Sequence, residues 1–425
     1  MKVFFHTLGC KVNHYETQEM LEDLESKGYT ITKQATDADI IIVNSCTVTA
    51  ESDRKSRQSV RHYRKLNPDA VTVLTGCMPQ AYSEKDYSLL DADIILGNNS
   101  NYLLDDAIKE FLSTRTPIVK VIEHRKNDKI KSSGIHCFEE RTRAYLKIED
   151  GCNRFCSYCA IPYARGRVRS KPVEDIVKEA TYLSDNGYVE IVLVGINLSA
   201  YGTELENVDF PSAIKAVADI EKVKRVRLGS LEPDHITNEV IKKLSRIKKL
   251  CPQFHISLQS GCNNTLKRMN RHYTAEEYFE LCNKLRNSFD NCTITTDIMV
   301  GFSGETDEDF NETVDFVKKV GFEKVHIFPY SVREGTRAAS FDGKIQNSVK
   351  NERAKTLADV CSNIRTDFLK NQIGKEYDIL IEKTLSDGNL FGYTDNYIPV
   401  IIDKNTQCKN GKYKIINSDN EYCYA

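Results

Sequence analysis

Three closely spaced cysteines constrain this chain more than any other feature of its sequence. Cys152, Cys156 and Cys159 form a Cys-x3-Cys-x2-Cys run just after the mostly apolar stretch 144–148. Soft thiolates at this spacing can ligate one metal centre, but three are one too few for a closed tetrahedral zinc site. A four-iron cluster held by three cysteines keeps one iron open for a substrate or cofactor. The spacing therefore favours an iron-sulfur cluster on a loop after a strand.

Two plainer interpretations of these cysteines stay open at this point. One is a zinc knuckle completed by Cys137 or by a distant histidine, and the other is a set of core cysteines without a ligand. Three cysteines in such a short polar stretch are poor core material, which favours the cluster.

Length and composition indicate a globular protein of about three domains. The 425 residues are 40% apolar and 28% charged, with a formal net charge of −2. This balance gives no global attraction to nucleic acid or membrane, so RNA contacts must come from local basic patches. The first residues lack the apolar run of a signal peptide, and no stretch approaches the roughly 18 apolar residues of a membrane span. The fourteen cysteines are therefore expected to be reduced thiols of a cytoplasmic protein.

Three more cysteines each follow a strand-like run in the first part of the chain. Helix-like segments such as 15–27 and 53–66 separate these runs, which is the βαβ rhythm of a parallel sheet. Because such a sheet aligns the carboxyl ends of its strands, the cysteines are expected to converge into a second triad with one open iron. The alternative is three unrelated buried thiols. The residues are Cys10, Cys46 and Cys77.

Basic residues recur at steps of three and four on the second helix-like segment, where they form one face of the helix. Such a face is either a solvated surface or, because it follows Cys46, a site for RNA phosphates near the second triad. The arginines are Arg54, Arg57, Arg61 and Arg64, with Lys55 and Lys65 beside them.

The central part of the chain alternates strands and helices. Pro172, Thr274 with Glu277, and Thr306 with Asp309 mark helix starts. Six strand-helix units predict a partial (β/α)6 barrel with its chemistry at the carboxyl ends of the strands. The predicted strands are 144–149, 190–194, 225–228, 254–258, 293–300 and 324–328.

Polar or glycine residues that suit ligand contact follow several of these strands. Each is weak evidence alone, because a glycine after a strand is most often only a turn. The candidates are Gly195 and Asn197 after the second strand, Ser230 after the third, Gln259 after the fourth, and Asp297 and Gly301 within and after the fifth.

The cluster motif resembles that of radical S-adenosylmethionine (SAM) enzymes. The resemblance implies that the open iron of the Cys152–Cys159 cluster chelates SAM, which an electron cleaves to a 5′-deoxyadenosyl radical. It also implies that Tyr158 flanks the adenine of SAM. Residues after the second strand would approach the methionine amino group, and those after the fourth and fifth would approach ribose and adenine.

Further motifs make nearly the whole chain resemble the methylthiotransferase family. Ser303 departs from the proline that the family usually has there. The matching motifs are Thr7-Leu8-Gly9-Cys10-Lys11-Val12-Asn13, Asn44-Ser45-Cys46-Thr47-Val48-Thr49, Gly76-Cys77, the segment 150–166, His255-Ile256-Ser257-Leu258-Gln259-Ser260-Gly261 and Asp297-Ile298-Met299-Val300-Gly301-Phe302.

Within that family the motif Leu8-Gly9-Cys10-Lys11-Val12-Asn13 looks most like that of the branch that modifies N6-threonylcarbamoyladenosine (t6A) of tRNA. The isopentenyladenosine branch more often reads Gly-Cys-Gln-Met-Asn there, and a third branch modifies a ribosomal-protein aspartate. Both stay open as alternatives, as does a non-catalytic iron-sulfur or zinc RNA-binding protein.

The last part of the chain predicts a helix over 351–371 and then a small β-barrel, which by position resembles the RNA-binding TRAM domain. Six lysines face eight acids from residue 371 onward, so phosphate attraction is weak. RNA contacts there would depend on single residues such as Lys409, Lys412 and Lys414.

The predicted architecture is α/β, with a Rossmann-like sheet domain at 1–120, a radical SAM core at 138–370 and a TRAM-like β-barrel at 371–425. The resemblance implies two [4Fe-4S] clusters and SAM, which together replace C–H by S–CH3 at carbon 2 of a modified adenine. The partners would be a tRNA anticodon stem-loop, a low-potential electron donor and a sulfur source. Arg165, Arg167 and Arg169 are candidates to meet the carboxylate of t6A.

Overall fold

The computed structural model describes residues 1–81, 86–125, 128–132, 134–138, 142–406 and 411–425. Lys409 lies outside the described residues, so its predicted RNA contact stays a prediction. No helix in the described part of the chain is both long and apolar enough to cross a membrane.

The amino-terminal part is a six-stranded parallel sheet with the order β2-β1-β3-β4-β5-β6. Every residue of its central strands β3 and β4 is buried, as their apolar sequences predict. The strands are β1 Lys2–Thr7, β2 Thr30–Ile31, β3 Ile40–Ser45, β4 Val71–Gly76, β5 Ile94–Leu96 and β6 Ile118–Lys120. The helices are α1 Lys11–Ser26, α2 Ala50–Leu66, α3 Cys77–Gln80 and α4 Leu104–Thr114.

The first two helices begin earlier than the sequence predicts. Helix α1 begins at Lys11, directly after Cys10, whose extended backbone occupies the N-cap position. Helix α2 begins at Ala50, because the Thr49 hydroxyl accepts a hydrogen bond from the Ser52 amide and caps the first turn. Both helices therefore start within a few residues of a cysteine of the second triad.

The central part forms the predicted partial barrel from parallel strands. One sheet has the order β7-β10-β11 and the next has β12-β13-β14-β15, and a parallel bridge from Val226 to Leu250 joins them. The parallel strands are β7 Arg143–Lys147, β10 Glu190–Val194, β11 Arg225–Leu228, β12 Ser230–Leu231, β13 Gln253–Ile256, β14 Thr293–Val300 and β15 Lys324–Pro329. The short strands β8 Glu149–Asp150 and β9 Arg169–Ser170 form a separate antiparallel pair. The third predicted strand, 225–228, is β11, and the short strand β12 follows it in the other sheet.

Helices cover the outside of this arc and bury the largest apolar core of the molecule. The predicted capping boxes of Thr274 with Glu277 and of Thr306 with Asp309 are both present. The helices are α5 Ile161–Arg165, α6 Val173–Asp185, α7 Phe210–Ala218, α8 Asn238–Leu244, α9 Asn263–Arg268, α10 Ala275–Ser288, α11 Asp307–Val320 and α12 Asn347–Lys370.

The carboxyl-terminal part consists of two small sheets, one ordered β17-β18-β19-β22-β21 and one pairing β16 with β20. Its strands are β16 Glu376–Tyr377, β17 Ile379–Thr384, β18 Leu390–Thr394, β19 Pro399–Ile402, β20 Tyr413–Lys414, β21 Asn417–Ser418 and β22 Cys423–Tyr424.

This carboxyl-terminal part packs against the amino ends of the barrel strands. The rings of Tyr393 and Tyr397 stack at 4.4 Å. The Arg143 guanidinium lies 5.1 Å from the centre of each ring, and that of Arg227 lies 4.6 Å from Tyr397. These cation–π contacts bind the small sheets to the barrel.

Candidate cluster sites and the chamber beside them

The first triad lies on a loop between β8 and α5. Gly151 begins this loop with φ +88°, and a Cβ there would lie 2.0 Å from the Arg167 carbonyl oxygen, so only glycine fits. The Cys152 amide donates to the Gly166 carbonyl oxygen over 3.0 Å, which closes the loop. The three cysteines thus share one short loop, which also bonds to the barrel because the Ser157 amide donates to the Met269 carbonyl oxygen over 3.0 Å.

Polar N–H groups point at the sulfur atoms of this triad. The Arg271 guanidinium donates to Cys156 Sγ over 3.2 Å, and Asn197 Nδ2 lies 3.7 Å from Cys152 Sγ. Arg271 is fixed in turn by an ion pair of 2.5 Å with Glu232. Such donors stabilise a metal-bound thiolate.

The second triad gathers at the carboxyl ends of three neighbouring strands. Cys10, Cys46 and Cys77 follow β1, β3 and β4, as the sheet rule predicts. Gly9 has φ +113°, and a Cβ there would lie 3.1 Å from Cys46 Sγ. The Asn13 side-chain oxygen lies 3.7 Å from Cys10 Sγ and 4.0 Å from Cys77 Sγ, so it connects two of the thiols.

Arg165 belongs to this second triad, although it lies in the barrel part of the chain. It is completely buried, donates to Cys77 Sγ over 3.2 Å, and binds Glu16 at 2.6 Å and Asn13 at 2.9 Å. The predicted RNA contact at Arg165 does not fit this burial, because its donors are used inside the protein. The sequence analysis did not predict a role for Asn13 or Glu16 beside the second triad. The only sign of it in the sequence is that both are polar residues on the apolar side of α1.

An ion network extends from Arg165 into the barrel. Lys147 lies 2.7 Å from both Glu16 and Asp150. Burial alone would raise the pKa of Glu16, but Arg165 and Lys147 outweigh it and hold the pKa below its usual range. The same balance lowers the pKa of Asp150, with Lys147 and Arg165 as the main attractions. These buried charges fix the second triad against the end of β7.

Both triads suit a cluster better than a zinc ion. Burial raises the pKa of Cys77, Cys152 and Cys159 to about 12, so these thiols need a bound metal to become thiolates at neutral pH. The sulfur atoms of a zinc site, with bonds of about 2.3 Å, lie about 4 Å apart. In the described part of the chain neither triad has all its sulfurs within 4.8 Å of one another.

The fourth zinc ligand suggested by the sequence, Cys137, lies elsewhere. Its Sγ accepts a hydrogen bond of 3.8 Å from Gln18 on α1. The donor set of the first triad is therefore three cysteines, which leaves the zinc-knuckle interpretation without its proposed ligand.

A cavity of about 780 Å³ extends from Cys10 of the second triad along the barrel strands to the carboxyl-terminal part. It is lined by Cys10 from the second triad and by three residues predicted to contact SAM, namely Gly195, Ser230 and Asp297. We call this cavity the chamber. Tyr393 and Tyr397 of the carboxyl-terminal part also line it, so all three parts of the chain contribute.

Histidines and lysines make the chamber wall polar. His255 Nε2 lies 3.2 Å from the Asp297 carboxylate, and the His326 ring lies 5.9 Å from that of His255. Lys11 and Lys324 line the same space. The wall therefore offers hydrogen-bond donors and positive charge to a polar ligand.

The other predicted SAM contacts lie near the first triad or support its loops. Tyr158 packs edge-on against Phe302, with ring centres 6.4 Å apart. Gln259 has φ +72°, and its amide donates to the Asp297 carbonyl oxygen over 2.8 Å. Gly301 has φ +70° and packs against Lys350 of α12, which gives it the geometry of a turn.

Sequence reasoning missed Glu149, the residue between β7 and the cluster loop. It is completely buried, and its Oε2 accepts a hydrogen bond of 2.8 Å from the Asn197 amide. Its Oε1 has no hydrogen-bond partner among the described residues. Burial raises the pKa of this carboxyl well above its usual range. Its only signal in the sequence is an acid at the end of an apolar strand.

The remaining predicted RNA contacts differ in exposure. Arg54 and Arg61 on α2 are exposed and Arg57 is partly exposed, with Arg54 in an ion pair of 2.5 Å with Glu51. Arg167 is exposed and lies over the Phe155 ring at 4.6 Å. Arg169 is only 7% exposed and donates to the Arg165 carbonyl oxygen over 2.8 Å, so its nearest role is internal.

Family models match each of the three parts of the chain. The model described as the Radical SAM superfamily matches residues 146–317. The model described as Uncharacterized protein family UPF0004 matches residues 2–97, and the TRAM domain model matches residues 370–414. The first of these matches covers the Cys152–Cys159 loop, and the second covers Cys10, Cys46 and Cys77.

Similarity to curated proteins extends over nearly the whole chain. The threonylcarbamoyladenosine tRNA methylthiotransferase MtaB of Bacillus subtilis is 39% identical over 96% of this chain and 92% of its own length. MtaB of Thermotoga maritima is 38% identical over 93% of this chain and 90% of its own. A tRNA-2-methylthio-N(6)-dimethylallyladenosine synthase of Clostridium botulinum is 35% identical over 90% of this chain and 86% of its own.

Solved structures share the fold at low sequence identity. The radical SAM methyltransferase TsrM of Kitasatospora setae superposes with a TM-score of 0.57 at 14% identity, covering 80% of this chain and 75% of its own. The radical SAM fold, the [4Fe-4S] cluster and SAM thus follow from the family. With these relatives, this chain belongs to the MtaB family of radical SAM tRNA methylthiotransferases.

Proposed function

We propose that this enzyme adds a methylthio group to carbon 2 of N6-threonylcarbamoyladenosine in the anticodon loop of tRNA. The main observation in support is the chamber, which is lined both by Cys10 of the second triad and by the predicted SAM contacts Gly195, Ser230 and Asp297. The wording of Leu8–Asn13 and the MtaB relatives support t6A as the substrate. The isopentenyladenosine and ribosomal-protein substrates remain outcomes of the test below.

A radical mechanism is required because the C–H bond at carbon 2 has no useful acidity, so side-chain acids and bases cannot open it. Bound at the two triads, the clusters and SAM would supply the radical, the sulfur and the methyl group. The protein holds these groups with Cys152, Cys156 and Cys159 on one side and with Cys10, Cys46 and Cys77 on the other.

The chain's own residues would orient these groups and polarise their ligands. Arg271 and Arg165 each donate a hydrogen bond to one cysteine sulfur, at Cys156 and Cys77. The N–H donors reduce the negative charge on the thiolates, which raises the reduction potential of a bound cluster.

SAM would lie between the first triad and the chamber. We assign its contacts to the residues that the strand ends present there. The predicted contacts are Tyr158, Gly195, Asn197, Ser230, Gln259, Asp297 and Gly301.

The target nucleoside must leave the stacked anticodon loop to enter the chamber. Exposed arginines on α2 and Arg167 would hold the RNA backbone outside it. An electron donor of low potential, a sulfur source and a cytoplasmic location complete the proposal. The three functional units would span 1–120, 138–370 and 371–425.

Nucleoside analysis of a strain that lacks this protein tests the substrate. Mass spectrometry of its digested tRNA should show loss of the 2-methylthio derivative of t6A and accumulation of t6A, with recovery when the gene is restored. Persistence of that derivative would contradict the proposal, and loss of the isopentenyl derivative instead would identify the other tRNA branch.

SAM cleavage separates the enzyme from a non-catalytic RNA-binding protein. Anaerobically reconstituted, reduced protein should bind about eight irons and release 5′-deoxyadenosine from SAM. Loading of only about four irons would overturn the two-cluster arrangement. Absence of 5′-deoxyadenosine from iron-loaded protein would support the non-catalytic alternative.

A further inference from the structure

Lys11 lines the chamber directly beside the second triad. It is the first residue of α1, directly after the proposed cluster ligand Cys10, and its side chain is exposed to the space that both residues line. The Lys11 side chain has no hydrogen bond or ion pair with another described residue. An ammonium group held inside a cavity in this way is a site for an anionic ligand group.

The charges around Lys11 leave it without compensation. Arg227, which lines the same cavity, and Arg143 repel the Lys11 ammonium group more strongly than Cys10 and Glu190 attract it. Glu190 is itself engaged, because it binds Arg227 at 2.8 Å and Arg143 at 3.4 Å. A ligand with a negative charge therefore gains more here than a neutral one.

The rest of the chamber wall is also more positive than negative. Arg365 is paired with Glu323, and Asp297 is hydrogen-bonded to His255. Lys324 is exposed in the same wall. The acids of the wall are thus already engaged, whereas Lys11 is available.

We propose that Lys11 binds the carboxylate of the threonylcarbamoyl group on the substrate adenosine, an inference that rests on the proposed function. Carbon 2 and the N6 substituent lie on the same edge of adenine. A base placed with carbon 2 towards the second triad therefore brings its N6 side chain within reach of the lysine beside Cys10. An ammonium group suits a carboxylate that approaches from the open side of a cavity.

The charge of the substituent separates the two candidate tRNA substrates, because only the threonylcarbamoyl group carries a carboxylate. An isopentenyl group is neutral and apolar, so a cation at this position would cost desolvation without a partner.

Equilibrium binding tests the proposal apart from turnover. Three labelled anticodon stem-loops would carry adenosine, t6A or the methyl ester of t6A at the target position. They would be titrated against reconstituted protein without SAM. In the wild type the free carboxylate should strengthen binding roughly tenfold over adenosine and over the ester, as expected for one charge-assisted contact.

Lys11→Gln should remove that preference and bind all three RNAs with the affinity that wild type shows for adenosine. Lys27→Gln is the matched control, since it removes the same charge from the other end of α1, where Lys27 pairs with Asp23 at 2.7 Å. The control should keep the wild-type preference.

Three outcomes would overturn the proposal. If Lys11→Gln weakens the binding of all three RNAs equally, Lys11 contacts the RNA backbone and not the carboxylate. If the iron content of the variant falls to about half, Lys11 stabilises the cluster. If the variant does not fold, the wild type alone decides, because equal affinity for t6A and its ester excludes a carboxylate contact. Lys11→Arg should retain the preference.

The proposed function can fail separately. Wild-type protein that cleaves SAM but never methylthiolates the t6A stem-loop contradicts the proposed substrate. If the wild-type protein does methylthiolate the t6A stem-loop, and Lys11→Gln still binds t6A RNA more tightly than its ester, only the role of Lys11 is contradicted.

Discussion

The two cysteine triads are alike in composition but differ in how the fold produces them. Cys152, Cys156 and Cys159 share one loop, whose shape depends on local contacts such as that between Gly151 and Arg167. Cys10, Cys46 and Cys77 come from three strand ends, so their meeting depends on the register of the whole sheet. A motif on a loop can be read from a sequence directly, whereas a site on strand ends requires the topology.

The arginines that serve the two triads differ in the same way. Arg271 donates to Cys156 and is held by Glu232, and all three residues belong to the barrel. Arg165 donates to Cys77 and is held by Glu16, so this contact crosses from the barrel to the amino-terminal sheet. The second triad should therefore depend on the junction between these two parts, and the first should not.

Serine substitution in each triad gives the largest expected effect. Cys156→Ser should abolish both SAM cleavage and methylthio transfer, because in the proposed mechanism the first triad would hold the cluster that cleaves SAM. Cys46→Ser should abolish methylthio transfer but keep 5′-deoxyadenosine release, with iron content falling from about eight to about four. Chromatography of the nucleoside products and an iron assay measure this; full transfer activity in Cys46→Ser would contradict separate roles.

Loss of the buried Arg165 should destabilise the protein strongly. Arg165→Met leaves Glu16 and Asp150 with less compensation, and breaking a buried ion pair typically costs about 3–5 kcal/mol of unfolding free energy. Arg167→Met is the matched control, because Arg167 is exposed and should change stability by about 0.5 kcal/mol or less. Urea unfolding measures the free energy of unfolding of both variants. Equal values would show that the ion network at the junction contributes little to stability.

Crowding at Gly9 should affect only the second triad. In Gly9→Ala the new Cβ meets Cys46 atoms at 2.9 Å and 3.1 Å and the backbone remains at φ +113°. The expected cost is about 1–3 kcal/mol, together with loss of iron from the second triad. Gly28→Ala also has positive φ but nothing within 4 Å of its Cβ, so it isolates the backbone cost. Iron loss in both variants, or in neither, would contradict this expectation.

The smallest expected effect is a difference at acid pH between Glu16 and Glu232, the two carboxyls that pair with Arg165 and Arg271. The pKa of Glu16 is lowered, because burial is outweighed by Arg165 and Lys147, so its stabilisation is present above the ordinary value of 4.5 and is lost below it. Burial raises the pKa of Glu232 above 4.5 despite Arg271, so Glu232 takes up its proton at higher pH.

The measurement compares unfolding free energies of wild type, Glu16→Gln and Glu232→Gln from pH 8 to pH 3. The difference between wild type and Glu16→Gln should stay constant down to about pH 4.5 and then shrink. The difference for Glu232→Gln should change already above that pH. Identical pH profiles would mean that the two arginine–glutamate pairs are equivalent.

Much of the architecture could be predicted from local patterns. The capping boxes at Thr274 and Thr306 form because each needs only one turn of helix. The apolar runs of β3 and β4 predict strands that are buried on both faces. The convergence of Cys10, Cys46 and Cys77 also follows, since parallel strands end at one edge.

The burial of Arg165 could not be predicted in this way. In the sequence it is one of three alternating arginines at 165, 167 and 169, yet the first is completely buried, the second is exposed and the third is 7% exposed. Their partners Glu16 and Asp150 lie on two different parts of the chain. Charge pattern alone does not report such a contact, because it depends on how the sheet packs against the barrel.

The sequence by itself determined the two sets of candidate cysteine ligands, the strand-helix alternation and the family resemblance, because each depends on spacing along the chain. The tertiary structure alone decided that Cys10, Lys11 and the ends of several barrel strands line one chamber, and that Arg165 donates to Cys77 inside the protein. The physical reason is that a cavity and a buried ion pair are made by surfaces distant in sequence, whose contact depends on packing.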